Sequence, residues 1–85
     1  MKTFIVDSTI PRSQTDAIDW AQALPRLLKE KGTKDVRFKT AYCCTPDRKV
    51  IAEFEGPDKE TVQKALDTIE MPFTAVMEAT KVHSV

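Results

Sequence analysis

Between Val36 and Gly56 the hydrophobic pattern repeats every second residue, and one antiparallel pairing accounts for it. Setting Val36 to Cys44 against Arg48 to Gly56, about Thr45-Pro46-Asp47, makes Phe38 face Phe54, Thr40 face Ala52 and Tyr42 face Val50. On the opposite side Arg37 meets Glu55, Lys39 meets Glu53, Ala41 meets Ile51 and Cys43 meets Lys49. Strand side chains alternate between faces, so this register collects the aromatics on one side and two opposite-charge pairs on the other. A slip of one residue would exchange the faces.

The flanking segments supply the remaining elements. Lys2 to Thr9 carries the strand formers Phe4, Ile5 and Val6 and is ended by Pro11. Thr15 or Asp16 can cap a helix running to about Lys31, with Gly32 as its left-handed stop. Its inner stripe is Ala17, Ala21, Leu24 and Leu28, with Ile18 and Leu27 beside it and Trp20 one position off, placed at the periphery of the core or, alternatively, over an edge of the sheet or a subunit contact. Pro25 falls inside and removes the bond to the Ala21 carbonyl, which predicts a kink or a split. Gly56-Pro57-Asp58 opens a second helix, with Pro57 in its first turn or Asp58 as its cap, and Val62, Ala65, Leu66 and Ile69 facing inward. Met71-Pro72 ends it, and Phe73 to Val82 reads as a last strand whose faces the alternation leaves open.

The order βαββαβ predicts an α+β fold, residues 1–85 forming one ferredoxin-like domain. Two helices lie on one face of a four-stranded antiparallel sheet. The crossover rule places strands one and three in the centre and strands two and four at the edges. Phe4, Val6, Phe38, Tyr42, Val50, Ala52 and Phe54 are expected under the helices. The uncovered face is expected to hold Thr3, Ile5, Asp7, Arg37, Lys39, Ala41, Cys43, Lys49, Ile51, Glu53 and Glu55, joined by Glu78 if Val76 and Glu78 turn outward.

Composition narrows the partners. An 85-residue chain buries only about 60–65% of its unfolded surface, so a second subunit would add to its stability. Thirteen cations balance thirteen anions, which argues against nucleic acid or an anionic membrane, both of which attract a basic excess. No apolar run approaches the roughly 20 residues of a membrane span. The opening segment has Asp7 and no long apolar core, unlike a secretory leader. Two neighbouring cysteines make no disulfide framework. A cytoplasmic homodimer is the expectation.

Three segments carry a family resemblance. Phe4-Ile5-Val6-Asp7-Ser8-Thr9-Ile10-Pro11 resembles the opening strand of a family of small bacterial and archaeal ferredoxin-like proteins without an assigned role. Phe54-Glu55-Gly56-Pro57-Asp58 before a helix fits the same pattern, as does Met71-Pro72 followed by Val76-Met77-Glu78-Ala79-Thr80-Lys81-Val82. The resemblance implies a dimeric α+β barrel, and it includes a nickel-binding member. Muconolactone isomerase and the small barrel monooxygenases are similar in architecture alone. Imidazole is a favoured nickel ligand, and this chain holds one histidine, His83, near its end. No metal ligand is therefore transferred to it.

The remaining chemistry lies on the uncovered face. Cys43 and Cys44 point to opposite faces and cannot jointly grip one ion. A buried cysteine usually behaves as a small hydrophobe, although Cys43, opposite Lys49 and near Lys39, has cations that favour its thiolate. Asp7 beside Glu53 would form a pair of close carboxylates, the acid–base arrangement this pattern offers. Asp7, Lys39, Cys43 and Glu53 surround an apolar floor of Ile5, Ala41 and Ile51, the make-up of a ligand site. The leading expectation is a homodimer that binds a small polar ligand or ion there. The alternatives are a cofactor-free isomerase or monooxygenase with Asp7 or Glu53 as proton acceptor, and a structural or regulatory subunit. The residues name neither the ligand nor a cofactor, and they leave catalysis undecided. The Cys-x-x-Cys of a heavy-metal-associated domain, the paired open-face aromatics of an RNA-recognition domain and a glycine-rich phosphate loop are absent from the sequence.

Overall fold

A computed structural model describes residues 1–9, 17–31, 35–44, 48–80 and 82, without the side chains of Ala17 and Trp20. The expected cap at Thr15 or Asp16, the Gly32 stop, the Thr45-Pro46-Asp47 turn, the packing of Trp20 and the His83 tail lie outside the described residues. The elements are β1 (Lys2–Thr9), α1 (Ala17–Glu30), β2 (Arg37–Cys44), β3 (Lys49–Gly56), α2 (Lys59–Thr68) and β4 (Ala75–Ala79). They build a four-stranded antiparallel sheet in the order β2-β3-β1-β4. The central and edge strands are those the crossover rule predicted.

The core lies between one sheet face and both helices. Phe4 and Val6 of β1, Val50, Ala52 and Phe54 of β3, and Val76 of β4 are buried against Leu24 and Leu28 of α1 and Val62 and Leu66 of α2. Phe38 meets Phe54 edge to face, with centroids 5.7 Å apart, a favoured geometry for aromatic quadrupoles. Ser8 is the buried polar residue of this layer. Its hydroxyl donates to the Pro72 carbonyl and ties β1 to the segment entering β4.

Local chemistry sets the ends of α2. Asp58 caps it, its carboxylate accepting from the Thr61 amide at 2.7 Å. That amide first, and the Thr61 hydroxyl second, hold the Asp58 carboxyl below its ordinary value. At the other end Glu70 adopts the left-handed conformation, φ 58°. The Glu70 amide bonds to the Asp67 carbonyl, and the Met71 amide reaches back to Leu66 at 2.9 Å. This is a Schellman closure with glutamate where glycine is usual, sealed by the buried pair Leu66 and Met71. Gly56 permits the close approach of β3 to α2, because a Cβ there would lie 2.7 Å from Val62 Cγ2.

Two expectations need correction, the hairpin register and the length of the last strand, and two alternatives left open are narrowed, at Pro25 and in the faces of the last strand. First, the β2–β3 register holds only at Arg37–Glu55 and Phe38–Phe54. A bulge then displaces it by one, so that Thr40 pairs with Glu53, Ala41 with Ala52, Tyr42 with Ile51, Cys43 with Val50 and Cys44 with Lys49. Tyr42 is thereby 69% exposed on the uncovered face, while Ala41 and Cys43 turn toward the helices and pack on the core. The exchange has a physical logic: small side chains fit beneath α1, and the tyrosine hydroxyl stays wet rather than needing a buried partner. The ladder closes at Cys44–Lys49, beside Arg48 in the left-handed region at φ 53°.

Second, α1 is not split at Pro25 but runs through it as one helix. Pro25 is exposed, and the buried Leu24 and Leu28 anchor the helix to the core on either side of it. Third, β4 is five residues long rather than ten, spanning Ala75–Ala79. Pro72 cannot donate to a ladder, and the chain joins β1 when the Thr74 amide bonds the Asp7 carbonyl at 2.8 Å. Fourth, Val76 and Glu78 pair with Val6 and Phe4 and so lie on the helix side. Glu78 meets Lys2 there at 3.5 Å, and Met77 takes the uncovered face.

Candidate functional site

The uncovered face is built from alternate residues of all four strands. Ile5 and Asp7 of β1 stand beside Glu53 and Ile51 of β3 on one flank and Met77 and Ala75 of β4 on the other. Tyr42, opposite Ile51, extends the apolar strip to the β2 edge. Half-buried Ile5 and Ile51 make its floor, and Tyr42 and Met77, the latter 49% exposed, rise at its margins.

The charges over this floor are paired differently from the expected ladder. Lys49 Nζ lies 3.3 Å from Asp7 Oδ2, and Lys39 Nζ lies 3.6 Å from Glu55 Oε1 rather than opposite Glu53. Both pairs are partly solvated, a setting in which each contributes roughly 0.2–1 kcal/mol. Asp7 holds one further feature. Its Oδ1 is shielded from solvent and accepts no hydrogen bond from the described residues. A shielded acceptor without a donor costs about 1–3 kcal/mol, and more when it belongs to an ion. The sheet therefore presents a carboxylate with one oxygen held by Lys49 and the other shielded without a donor among the described residues.

Of the four residues expected at the site, Asp7 and Glu53 share the uncovered face. Lys39 sits at the bulge, on the sheet's edge, and reaches that face through Glu55. Cys43 belongs to the helix side, where with Lys39 it lines a groove between α1 and β2. Ala41 leaves the expected floor with it. Asp7 and Glu53 lie on neighbouring strands, diagonal to each other on the same face. Asp7 stands opposite Ile51 and is held by Lys49, while Glu53 stands opposite Ile5. The sequence reading missed the Asp7–Lys49 pair, although its signal was present: two residues of like parity on neighbouring central strands.

Among the described residues no group of three or more histidine, cysteine, aspartate and glutamate side chains is gathered to hold a metal ion, and no helix is long and apolar enough to cross a membrane. The architecture is that of a small ferredoxin-like α+β protein. It is shared with SCO4226 from Streptomyces coelicolor A3(2), known from a crystal structure, at a TM-score of 0.75. That match covers 95% of this chain and 99% of the other with 18% sequence identity, so the likeness is one of fold. No family model and no curated protein matches the chain.

Proposed function

We propose that this chain is a cytoplasmic homodimeric binding protein, in which the uncovered sheet faces of two copies enclose a small polar ligand or ion. The observation that carries this reading is Asp7 Oδ1, shielded yet without a donor among the described residues. A ligand N–H, O–H or cation would complete it, with Lys49 holding the other oxygen and Glu53 at the next position along β3 on the same face. The apolar strip of Ile5, Ile51, Tyr42 and Met77 supports dimerisation, because apolar surface on a small chain is relieved by a second subunit. The cytoplasmic setting is supported by the cysteines, which form no disulfide.

The test is native mass spectrometry after gentle purification, followed by amide shift titrations with ammonium ions, small carboxylates and divalent cations. The expected results are a dimer of twice 9.6 kDa and shifts in β1 and β3 that Asp7→Asn abolishes. A monomer at micromolar concentration, or shifts confined to the helices, would overturn the reading.

A further inference from the structure

The outer border of β2 lies beside a largely apolar wall of α1. Strand β2 is an edge of the sheet, with β3 as its ladder partner among the described residues. An edge strand turns the N–H and C=O of every second residue away from its ladder. Beyond the bulge this border runs from Thr40 to Cys44, and a groove of about 450 Å³ opens between β2 and α1. On the helical side stand Ile18, Gln22 and Pro25, at helical spacing along one face. Ile18 is 44% exposed there.

The strand side of the groove mixes side chains with backbone. Phe38, Ala41 and Cys43 turn toward the helices and line it. Lys39 and Thr40 line it as well, although their side chains are directed to the uncovered face, Lys39 to Glu55 and Thr40 by its pairing with Glu53. They therefore meet the groove with their main chain. A compact apolar molecule would match the helical wall and leave the strand's amides and carbonyls as they are. An extended peptide matches both, because its own N–H and C=O groups recur at strand spacing while alternate side chains point to one face. We infer that the β2 border takes an extended peptide as an added strand, one of its apolar side chains seated beneath α1 against Ile18, Pro25 and Ala41. The bulge at Lys39 interrupts the ladder at one end and the strand stops at Cys44 at the other. Pairing is thereby limited to about five residues, roughly 17 Å. The site lies at the border of the sheet and does not involve Asp7.

The probe is an acetylated and amidated pentapeptide that alternates valine and threonine. Its control is the same peptide N-methylated at the central residues, which keeps the side chains and removes the main-chain donors. Titrated into the isotopically labelled protein, the probe should shift the amides of Ile18, Thr40, Ala41 and Tyr42 and leave those of Ile5 and Met77 in place. It should also slow hydrogen exchange at outward amides between Thr40 and Cys44, which packing of side chains alone does not do. The methylated control should bind about tenfold more weakly, having lost its share of the ladder. Ile18→Asp, at an exposed position of α1, should weaken the probe about tenfold by setting a charge against its apolar side chain, and a thermal melt confirms that the variant is folded. Equal affinity for the methylated control, unchanged exchange in β2, or no shifts at millimolar peptide would each overturn the inference. So would the same shifts on concentrating the protein alone, which would put a second copy at this border.

Discussion

Strands β3 and β2 lie side by side, yet only one of them keeps a strict alternation. In β3 buried and half-buried residues alternate without interruption from Lys49 to Gly56, whereas β2 changes parity after Phe38. The difference follows from position in the sheet. Strand β3 is bonded to β2 on one side and β1 on the other, so a bulge in it would disturb two ladders. Strand β2 has one ladder partner and α1 above it, and its second half follows the helix. Register is thus fixed where neighbours agree and negotiable where one is missing.

Aromatic truncations test this contrast most directly. Phe54→Ala in β3 should cost about 3–5 kcal/mol, since its ring is fully buried in the core; urea melts report the loss. A smaller effect from the same strand tests its closeness to α2. Gly56→Ala should cost about 1–3 kcal/mol, because the added methyl must displace Val62. Glu70→Gly should gain about 0.5–1 kcal/mol by relieving a left-handed residue outside the sheet, and a higher melting midpoint would show it. Tyr42→Ala, read at concentrations low enough to keep the chain monomeric, should fall below about 0.5 kcal/mol, as expected of a side chain exposed within one copy. A loss near that of Phe54→Ala would restore the unbulged register.

The last effect is read in pH. The Asp58 carboxyl is depressed in the folded chain, so the stability it lends is complete above its unfolded value near 4 and is lost as pH falls through the lowered folded value. Asp58→Asn keeps a capping side chain and should flatten that acid limb, its cost appearing at neutral pH and vanishing in acid.

Much of the fold was legible because several signals coincided. In α2 the cap at Asp58, the inward stripe at Val62, Ala65, Leu66 and Ile69, and the break at Pro72 all agreed with one another. In β1 and β3 alternation and strand propensity agreed as well. Beyond Phe38 the signal was ambiguous, since Ala41 and Cys43 on one parity compete with Tyr42 on the other. Hydrophobicity favours the tyrosine as the buried partner, whereas the space beneath α1 favours the small residues, and that space exists only in three dimensions. The candidate site was legible by strand and face for Asp7 and Glu53, and illegible for Lys39 and Cys43, which stand at or beyond the bulge.

The same bulge bears on how copies of this chain can meet. A sheet left open at both sides is a template on which further strands can add, and repeated addition makes fibres. Here one border is interrupted by the extra residue and carries the Lys39 charge, while the other is a strand of only five residues. Neither offers the long, flat, uncharged row of amides and carbonyls that strand-by-strand growth requires. In the proposed homodimer, contact through the flat side of the sheet would be closed between two copies rather than endless.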